Sequence, residues 1–199
     1  MTEKKKDKIL TIIVCSLWTI YVPFSYYYTY GFVTFFIFFF FLIIALPLTV
    51  KLLIGLIKRA KAKKSYSFYL LTISLLVLLF NTFYSVGILE KLDWKYRYHE
   101  RLSIIEKFKV GELKATDGRI KYNSLPPISN GGNEVFISKT PSGKVEAKFY
   151  IDRGFLDHYS AYIYTEREAD IEAYERDMKD EGISKKVEKM AQNWYKVRD

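Results

Sequence analysis

Arg153, Asp157 and His158 fall within six residues of one another in the stretch FYIDRGFLDHYSAYIYT, residues 149–165. A histidine beside a carboxylate has the composition of a general base and its orienting partner, and with the arginine the three could form a catalytic cluster or a ligand site. The alternation of side chains argues for a different reading. Neighbouring residues of a strand point to opposite faces, so Asp157 and His158 do not readily pair. Val145, Ala147, Phe149 and Ile151 alternate with Glu146, Lys148, Tyr150 and Asp152, which is the pattern of a half-buried strand. Further on, Tyr159, Ala161 and Ile163 fall on one face and His158, Ser160, Tyr162 and Tyr164 on the other. The stretch therefore reads as the end of one strand, a connection at Arg153-Gly154 through Leu156-Asp157, and a strand beginning near His158. In that reading Arg153 and Asp157 tie the connection together and Gly154 supplies backbone freedom.

No other motif carries a reaction. The two histidines, His99 and His158, lie far apart, and the single Cys15 sits in an apolar run, so neither metal-ligand spacing nor an internal disulfide is available. G-x-S-x-G, P-loop and H-E-x-x-H patterns are absent. The glycine-rich SNGGN, residues 129–133, lacks the lysine and following helix of a phosphate site and reads as a loop with positive φ angles. The expectation is a protein that is not an enzyme, with no catalytic, cofactor-binding or metal residues.

The elements that would position such residues divide the chain in two. Three apolar stretches are long enough to cross a bilayer: Ile9 to about Tyr28, Gly31 to Val50 with continuation to Ile57, and about Ser67 to Leu89. In lipid their backbone must be satisfied internally, so each is a helix. Pro23 should kink the first near its outer end. The bulky aromatics after the first stretch do not resemble a cleavage site, so it reads as an uncleaved helix rather than a signal peptide. Asp, Glu, Lys, Arg and His are missing between Ile9 and Val50 and between Ser67 and Leu89, which argues against a pump or proton-coupled transporter. Asn81, with Ser74 and Ser85, reads as helix–helix hydrogen bonding. The FFIFFFF run, Phe35–Phe41, covers every side of a helix, so part of it faces lipid.

Charge predicts the orientation. Ten of the 31 Lys and Arg, but only three of the 22 Asp and Glu, precede residue 91, so the first 90 residues carry +7 of the net +9. Lys4, Lys5, Lys6 and Lys8 precede the first stretch, and Lys58, Arg59, Lys61, Lys63 and Lys64 follow the second. The connection SYYYTYG between those stretches has four tyrosines and no charge. The positive-inside rule then places the N-terminus and the basic loop in the cytoplasm and the tyrosine loop outside. Residues 91–199 follow the third crossing and are expected outside. Their near-neutral balance shows no basic stripe, which argues against nucleic acid.

Residues 91–199 read as one small α+β domain with an antiparallel sheet. Leu102, Ile105 and Phe108/Lys109 have helical spacing and Gly111 is a stop. RIKY, EVFISK and KVEAKFYID are strand candidates, the last two joined by the turn TPSG. Thr165 and Glu168 have the spacing of a capping box for a helix carrying Ile171, Tyr174 and Met178, with Glu172–Arg176 and Glu175–Lys179 as i,i+4 pairs and Gly182 as the C′ residue. The acidic residues of that helix read as a solvated face rather than a metal site. The tail from Ile183 fits helical spacing, yet KKVEKM and NWYKVR also read as two strands around AQN, which is the preferred reading.

KVGEL (Lys109–Leu113), LPPISNGGNEVFI (Leu125–Ile137), FYIDRGFLDHYSAYIYT (Phe149–Thr165) and NWYKV (Asn193–Val197) carry a resemblance. The soluble part resembles a family of small, uncharacterised membrane-anchored proteins of Bacillus-like Gram-positive bacteria. The resemblance implies a compact, β-rich extracytoplasmic domain ending on a Trp-Tyr strand, and it implies no reaction.

The expected architecture is three transmembrane helices in residues 1–90 (about 9–28, 31–57 and 67–89), followed by the extracytoplasmic domain at 91–199. The expected function is that of a membrane-anchored binding or accessory protein of the bacterial envelope. Its partners are the lipid bilayer and another envelope protein or peptide. Tyr150, Tyr162 and Tyr164, with Arg153 and His158, form the expected contact surface, since tyrosine is enriched at interfaces. Two alternatives stand beside it: a sensor or immunity-type protein against secreted peptides, and an envelope hydrolase built on His158.

Overall fold

A computed structural model describes residues 2–61, 65–130, 132–153, 159–179 and 186–199. Its elements are α1 (Glu3–Tyr28), α2 (Gly31–Lys61), α3 (Ser65–Phe83), α4 (Ser85–Lys109), β1 (Arg119–Lys121), β2 (Glu134–Lys139), β3 (Val145–Arg153), β4 (Tyr159–Thr165), α5 (Glu168–Asp177), β5 (Lys186–Ala191) and β6 (Trp194–Arg198). The chain separates into two compact units, one of Met1–Ser25 with Val33–Lys91, the other of Tyr26–Phe32 with Leu92–Asp199.

The first unit is helical. Glu3–Tyr28, Gly31–Lys61 and Tyr66–Phe83 are each long and apolar enough to cross a membrane. The 31 residues of α2, at about 1.5 Å each, exceed a hydrocarbon core of about 30 Å, so its last basic turn lies beyond the core. Val14, Leu52 and Leu56 form the buried seam, with Leu10, Trp18, Leu48, Leu70 and Leu71 around it. Tyr21 stacks on Phe41 at 4.1 Å and Trp18 meets the edge of Phe41 at 5.1 Å. The rest of the phenylalanine run, including Phe35, Phe36 and Phe40, is exposed.

Polar links between these helices replace the hydrophobic drive that lipid removes. Asn81 donates to Thr19 Oγ1 at 3.3 Å and Trp18 Nε1 to Thr49 Oγ1 at 3.1 Å. Ser74 and Ser85 instead donate to the carbonyls of Leu70 and Asn81 in their own helical run. Arg59, one of the basic residues after the second apolar stretch, forms an ion pair with Asp7 at 2.5 Å. Gly55, one turn earlier, leaves room for it, because a Cβ there would meet Arg59 Nη2 at 2.7 Å.

The third apolar stretch ends earlier than the spacing implies. Tyr84 is a turn between α3 and α4. Hydrogen bonds from Tyr84 N to Phe80 O and from Ile88 N to Tyr84 O carry the helical backbone across it.

The second unit is an α+β fold. A six-stranded antiparallel sheet in the order β1-β2-β3-β4-β6-β5 packs one face on α4 and part of the other on α5. The β2–β3 hairpin, the strand at RIKY and the pair of tail strands form as the period indicates. β3 alternates as expected, with Val145, Ala147, Phe149 and Ile151 buried. α4 ends in a Schellman motif: Glu112 N bonds Lys107 O, Gly111 N bonds Phe108 O, and Gly111 takes φ +82°.

Two expectations at α5 are corrected. Thr165 does not cap the helix. It is the last residue of β4, fully buried, with its N–H donating to Asn193 O. The sheet claims its backbone, so the N-cap is Arg167, whose own N–H donates to Thr165 Oγ1 at 3.1 Å. Glu175 pairs across to Lys189 of β5 at 2.9 Å rather than along its own helix. Gly182 and Ile183 lie outside the described residues. Two other acids at this helix are also held by cations, Glu168 by Lys144 at 2.7 Å and Asp170 by Arg167 at 3.1 Å.

Where α4 ends, Lys109 meets Glu166 at 2.7 Å and Tyr164 Oη at 3.2 Å, while Glu166 also accepts the Val145 N–H. Burial works against the Lys109 charge, but hydrogen bonds to Glu166, Tyr164 and Glu106 outweigh it and raise its pKa. Burial likewise opposes the Glu166 charge, yet the bonds from Lys109, Val145 and Tyr164 lower its pKa below 4.5. The Lys109 contribution is present below pH 10.5 and fades as the pH climbs toward its raised value. The Glu166 contribution is present above pH 4.5 and fades as the pH falls through its lowered value. Glu166→Gln should cost about 1–2 kcal/mol at neutral pH. Denaturant titrations across the acid range should show that deficit shrinking below pH 4.5; a deficit constant with pH would rule out the ionic origin.

Candidate functional site on the sheet

The inner face of the sheet is filled by aromatic rings. Trp194 sits among Trp94 (5.4 Å between ring centres), Phe149 (5.7 Å), Tyr164 (5.3 Å) and Tyr98 (6.1 Å). Tyr162 packs on Trp94 at 4.8 Å, and the Arg101 guanidinium lies 4.7 Å over its ring. Tyr162 and Tyr164 keep only 1% and 6% of their surface exposed.

The expectation of a single wet tyrosine face is therefore corrected. The register pairs Phe149 with Tyr162 and Tyr150 with Ala161, so Tyr150 lies on the opposite face from Tyr162 and Tyr164. α4 covers the face that carries the latter two. His158, together with Gly154 and Asp157, lies outside the described residues.

Arg153 is not part of a connection but the last residue of β3. A β-bulge between Tyr150 and Asp152 inserts one residue and returns the alternation, so that Arg153, opposite Tyr159, shares the face of Tyr150. Its guanidinium stacks 4.3 Å over Tyr150 and 5.3 Å over Phe136. Arg119 approaches Phe136 from β1 at 4.7 Å, and Lys148 lies 4.7 Å over Tyr159. Such stacking on aromatic faces favours cations. Glu134 stands between the two arginines, its Oε2 3.7 Å from Arg119 and 3.9 Å from Arg153. Burial lowers the Arg153 pKa, and Tyr150 and Glu134 oppose that shift.

A second group of side chains binds the connection between α1 and α2. Asn130, 4% exposed, donates through Nδ2 to the carbonyls of Tyr26 and Thr29, each at 2.8 Å. Its own N–H donates to Tyr150 O at 2.8 Å, and the Tyr150 N–H donates to Ser129 Oγ at 2.9 Å. Asp93 accepts from Tyr27 Oη at 3.0 Å and pairs with the buried Arg101. Arg97 donates to the carbonyls of Pro126 and Pro127 and to Ser124 Oγ, while Asn133, at φ +64°, holds Ile128 N and Ser124 O. Asn130 is thus a clamp on the inter-helix turn. Tyr26, Tyr27, Asp93, Arg101, Pro127, Ile128, Asn130, Tyr150 and Ile151 enclose a narrow cleft between these groups.

Comparison with protein-family models, curated proteins and solved structures finds no match for this chain.

Sequence reasoning missed Asp93, Arg97 and Arg101. Their spacing of four residues was the available signal, since it puts all three on one side of a helix. Asn130 carried no signal, because its partners lie about a hundred residues earlier in the chain.

Proposed function

We propose that this is a membrane-anchored, extracytoplasmic binding or accessory protein of the bacterial envelope, which performs no reaction and works by contact with an envelope protein or peptide. The observation that carries the reading is the capture of the α1–α2 turn by the α+β unit through Asn130 and Asp93. That turn joins two candidate spans and belongs to the same compact unit as the sheet, which supports a domain anchored by those spans. The turn is uncharged and the opposite ends of both helices are basic, which favours the outside for the turn. The bacterial setting rests on the sequence resemblance. The contact surface is the part of the outer sheet face formed by Phe136, Lys148, Tyr150 and Tyr159, partly exposed aromatics and a cation on a rigid sheet.

Orientation is tested by a single cysteine at Ser142, exposed in the β2–β3 turn, in a Cys15→Ala background. An impermeant thiol reagent should label it in intact cells; labelling only after lysis would overturn the orientation. The contact surface is tested by a photo-crosslinking residue at Phe136 or Tyr159. Each should trap one discrete adduct in cells, whereas the same residue at Ser142 should not. Equal patterns at all three positions would defeat the assignment of this face.

A further inference from the structure

α5 covers only part of the outer sheet face. Its Ile171 and Tyr174 pack over Ala161, Ile163, Tyr195 and Val197 of β4 and β6, and Phe136 of β2 is not part of that cluster. Ile120 of β1 is buried on the inner face, so Arg119 and Lys121 on either side of it project outward. The register sets Arg119 beside Phe136, Phe136 beside Lys148, and Lys121 beside Glu134. With Arg153, the outer face of β1, β2 and β3 carries four cations against two carboxylates, Glu134 and Glu146. Glu146 is bonded to Arg167 at 2.8 Å, a cation from outside these three strands. Glu134, 3.7 Å from Arg119 and 3.9 Å from Arg153, is left to balance the rest. This part of the face therefore holds an excess of positive charge.

Exposure decides which cations can meet a partner. Arg153 is mostly covered, but the Arg119 side chain is 52% exposed and Lys121 is exposed as well. The Arg119 guanidinium lies 4.7 Å over the Phe136 ring, which holds it in place before a partner arrives. Phe136 meets Tyr150 edge-on at 5.5 Å, and Tyr150 meets Tyr159 at 5.7 Å, so a row of rings crosses the strands beside the cations. A guanidinium favours a carboxylate, which accepts from two of its N–H groups at once. Aromatic rings favour apolar groups. A protein segment with acidic and apolar side chains brings both, whereas a phosphate polymer brings only the charge.

We propose that this face binds an acidic segment of the partner protein or peptide, with Arg119 and Lys121 meeting its carboxylates and Phe136 its apolar side chains. The assignment rests on the reading of this face as a contact surface, and it adds two residues to that surface and a chemistry to the partner.

The test uses the full chain purified in an uncharged detergent at low salt. The probe is the peptide Glu-Glu-Phe-Phe-Glu-Glu, which when extended shows two carboxylates and one ring on either side. It carries an uncharged fluorophore, and binding is read by anisotropy. The wild type should bind it, more weakly as salt is added. Replacing both cations, Arg119→Gln with Lys121→Gln, should weaken binding about tenfold. Lys58→Gln with Lys61→Gln, on α2, should leave it unchanged. No binding by the wild type, or unaltered binding after loss of Arg119 and Lys121, would refute the site. Equal binding of Gln-Gln-Phe-Phe-Gln-Gln would remove the requirement for acid. Inorganic tripolyphosphate bound as tightly through the same two residues would replace the peptide with a phosphate polymer. In cells, the adduct from a photo-crosslinking residue at Phe136 should be lost on Arg119→Glu. An adduct that survives this change leaves the contact surface standing and removes the acidic partner. Absence of any adduct with Arg119 intact, while the purified chain still binds the peptide through Arg119, removes the accessory reading and leaves the acid-binding site.

Discussion

Arg101→Met is expected to destabilise the α+β unit by about 3–5 kcal/mol, because it leaves the Asp93 carboxylate buried without its main counter-charge. Asp93 is 4% exposed and Arg101 2%. Arg101 binds both the Asp93 carboxylate and its backbone carbonyl, and it also lies over the ring of Tyr162. Arg97 stays at 4.0 Å from Asp93, too far to replace the lost partner. The double replacement Asp93→Leu with Arg101→Met removes both charges together and should regain much of the loss, since a matched apolar pair escapes the desolvation penalty. Denaturant unfolding in detergent, followed by tryptophan fluorescence, measures all three proteins. A single replacement within about 1 kcal/mol of wild type, or a double as unstable as the single, would sink the account. Loss of Asp93 also frees Tyr27 Oη, so the double replacement should loosen the grip on the inter-helix turn even as the sheet recovers.

Trp194→Ala should cost a similar amount, about 3–5 kcal/mol, by opening a cavity at the centre of the inner face. Trp194 is 1% exposed and packs against four aromatic rings contributed by α4, β3 and β4. Trp194→Phe should cost much less, about 1–2 kcal/mol. Among the described residues its indole Nε1 makes no hydrogen bond, so removing that N–H leaves none of them without its partner. Calorimetric or denaturant stabilities of the two variants separate ring packing from polar satisfaction. If Phe proves as costly as Ala, the indole nitrogen has a partner that this packing does not include.

The strands were legible because alternation is a local property of the extended backbone. Which face is the inner one was not legible. Alternation places Tyr162 and Tyr164 on one face of their strand and Tyr150 on one face of its own, but it does not align the two strands. Tyrosine adds no hint, since its ring suits a core and its hydroxyl suits a rim. Tyr164 does both: its ring lies against Trp194 while its hydroxyl donates to Glu166 at 2.7 Å. Arg153 was misplaced for a related reason. A bulge of one residue reverses the alternation beyond it, and DRG carries no mark that distinguishes a bulge from a turn. At Thr165 the capping pattern was genuine in composition, but its backbone N–H is bonded to Asn193 O and so was not free for the Glu168 carboxylate that a capping box brings to it.

Hydropathy and length alone determined three helices fit to cross a membrane, because a bilayer of given thickness demands some twenty apolar residues whatever surrounds them. Local period likewise determined the strands and the final hairpin. Tertiary structure alone decided the rest. It set the register that buries Tyr162, returned Arg153 to the face of Tyr150, and brought Asn130 to the carbonyls of Tyr26 and Thr29. Each depends on partners distant in the chain, and a buried polar group or ring is placed by whichever such partner satisfies it.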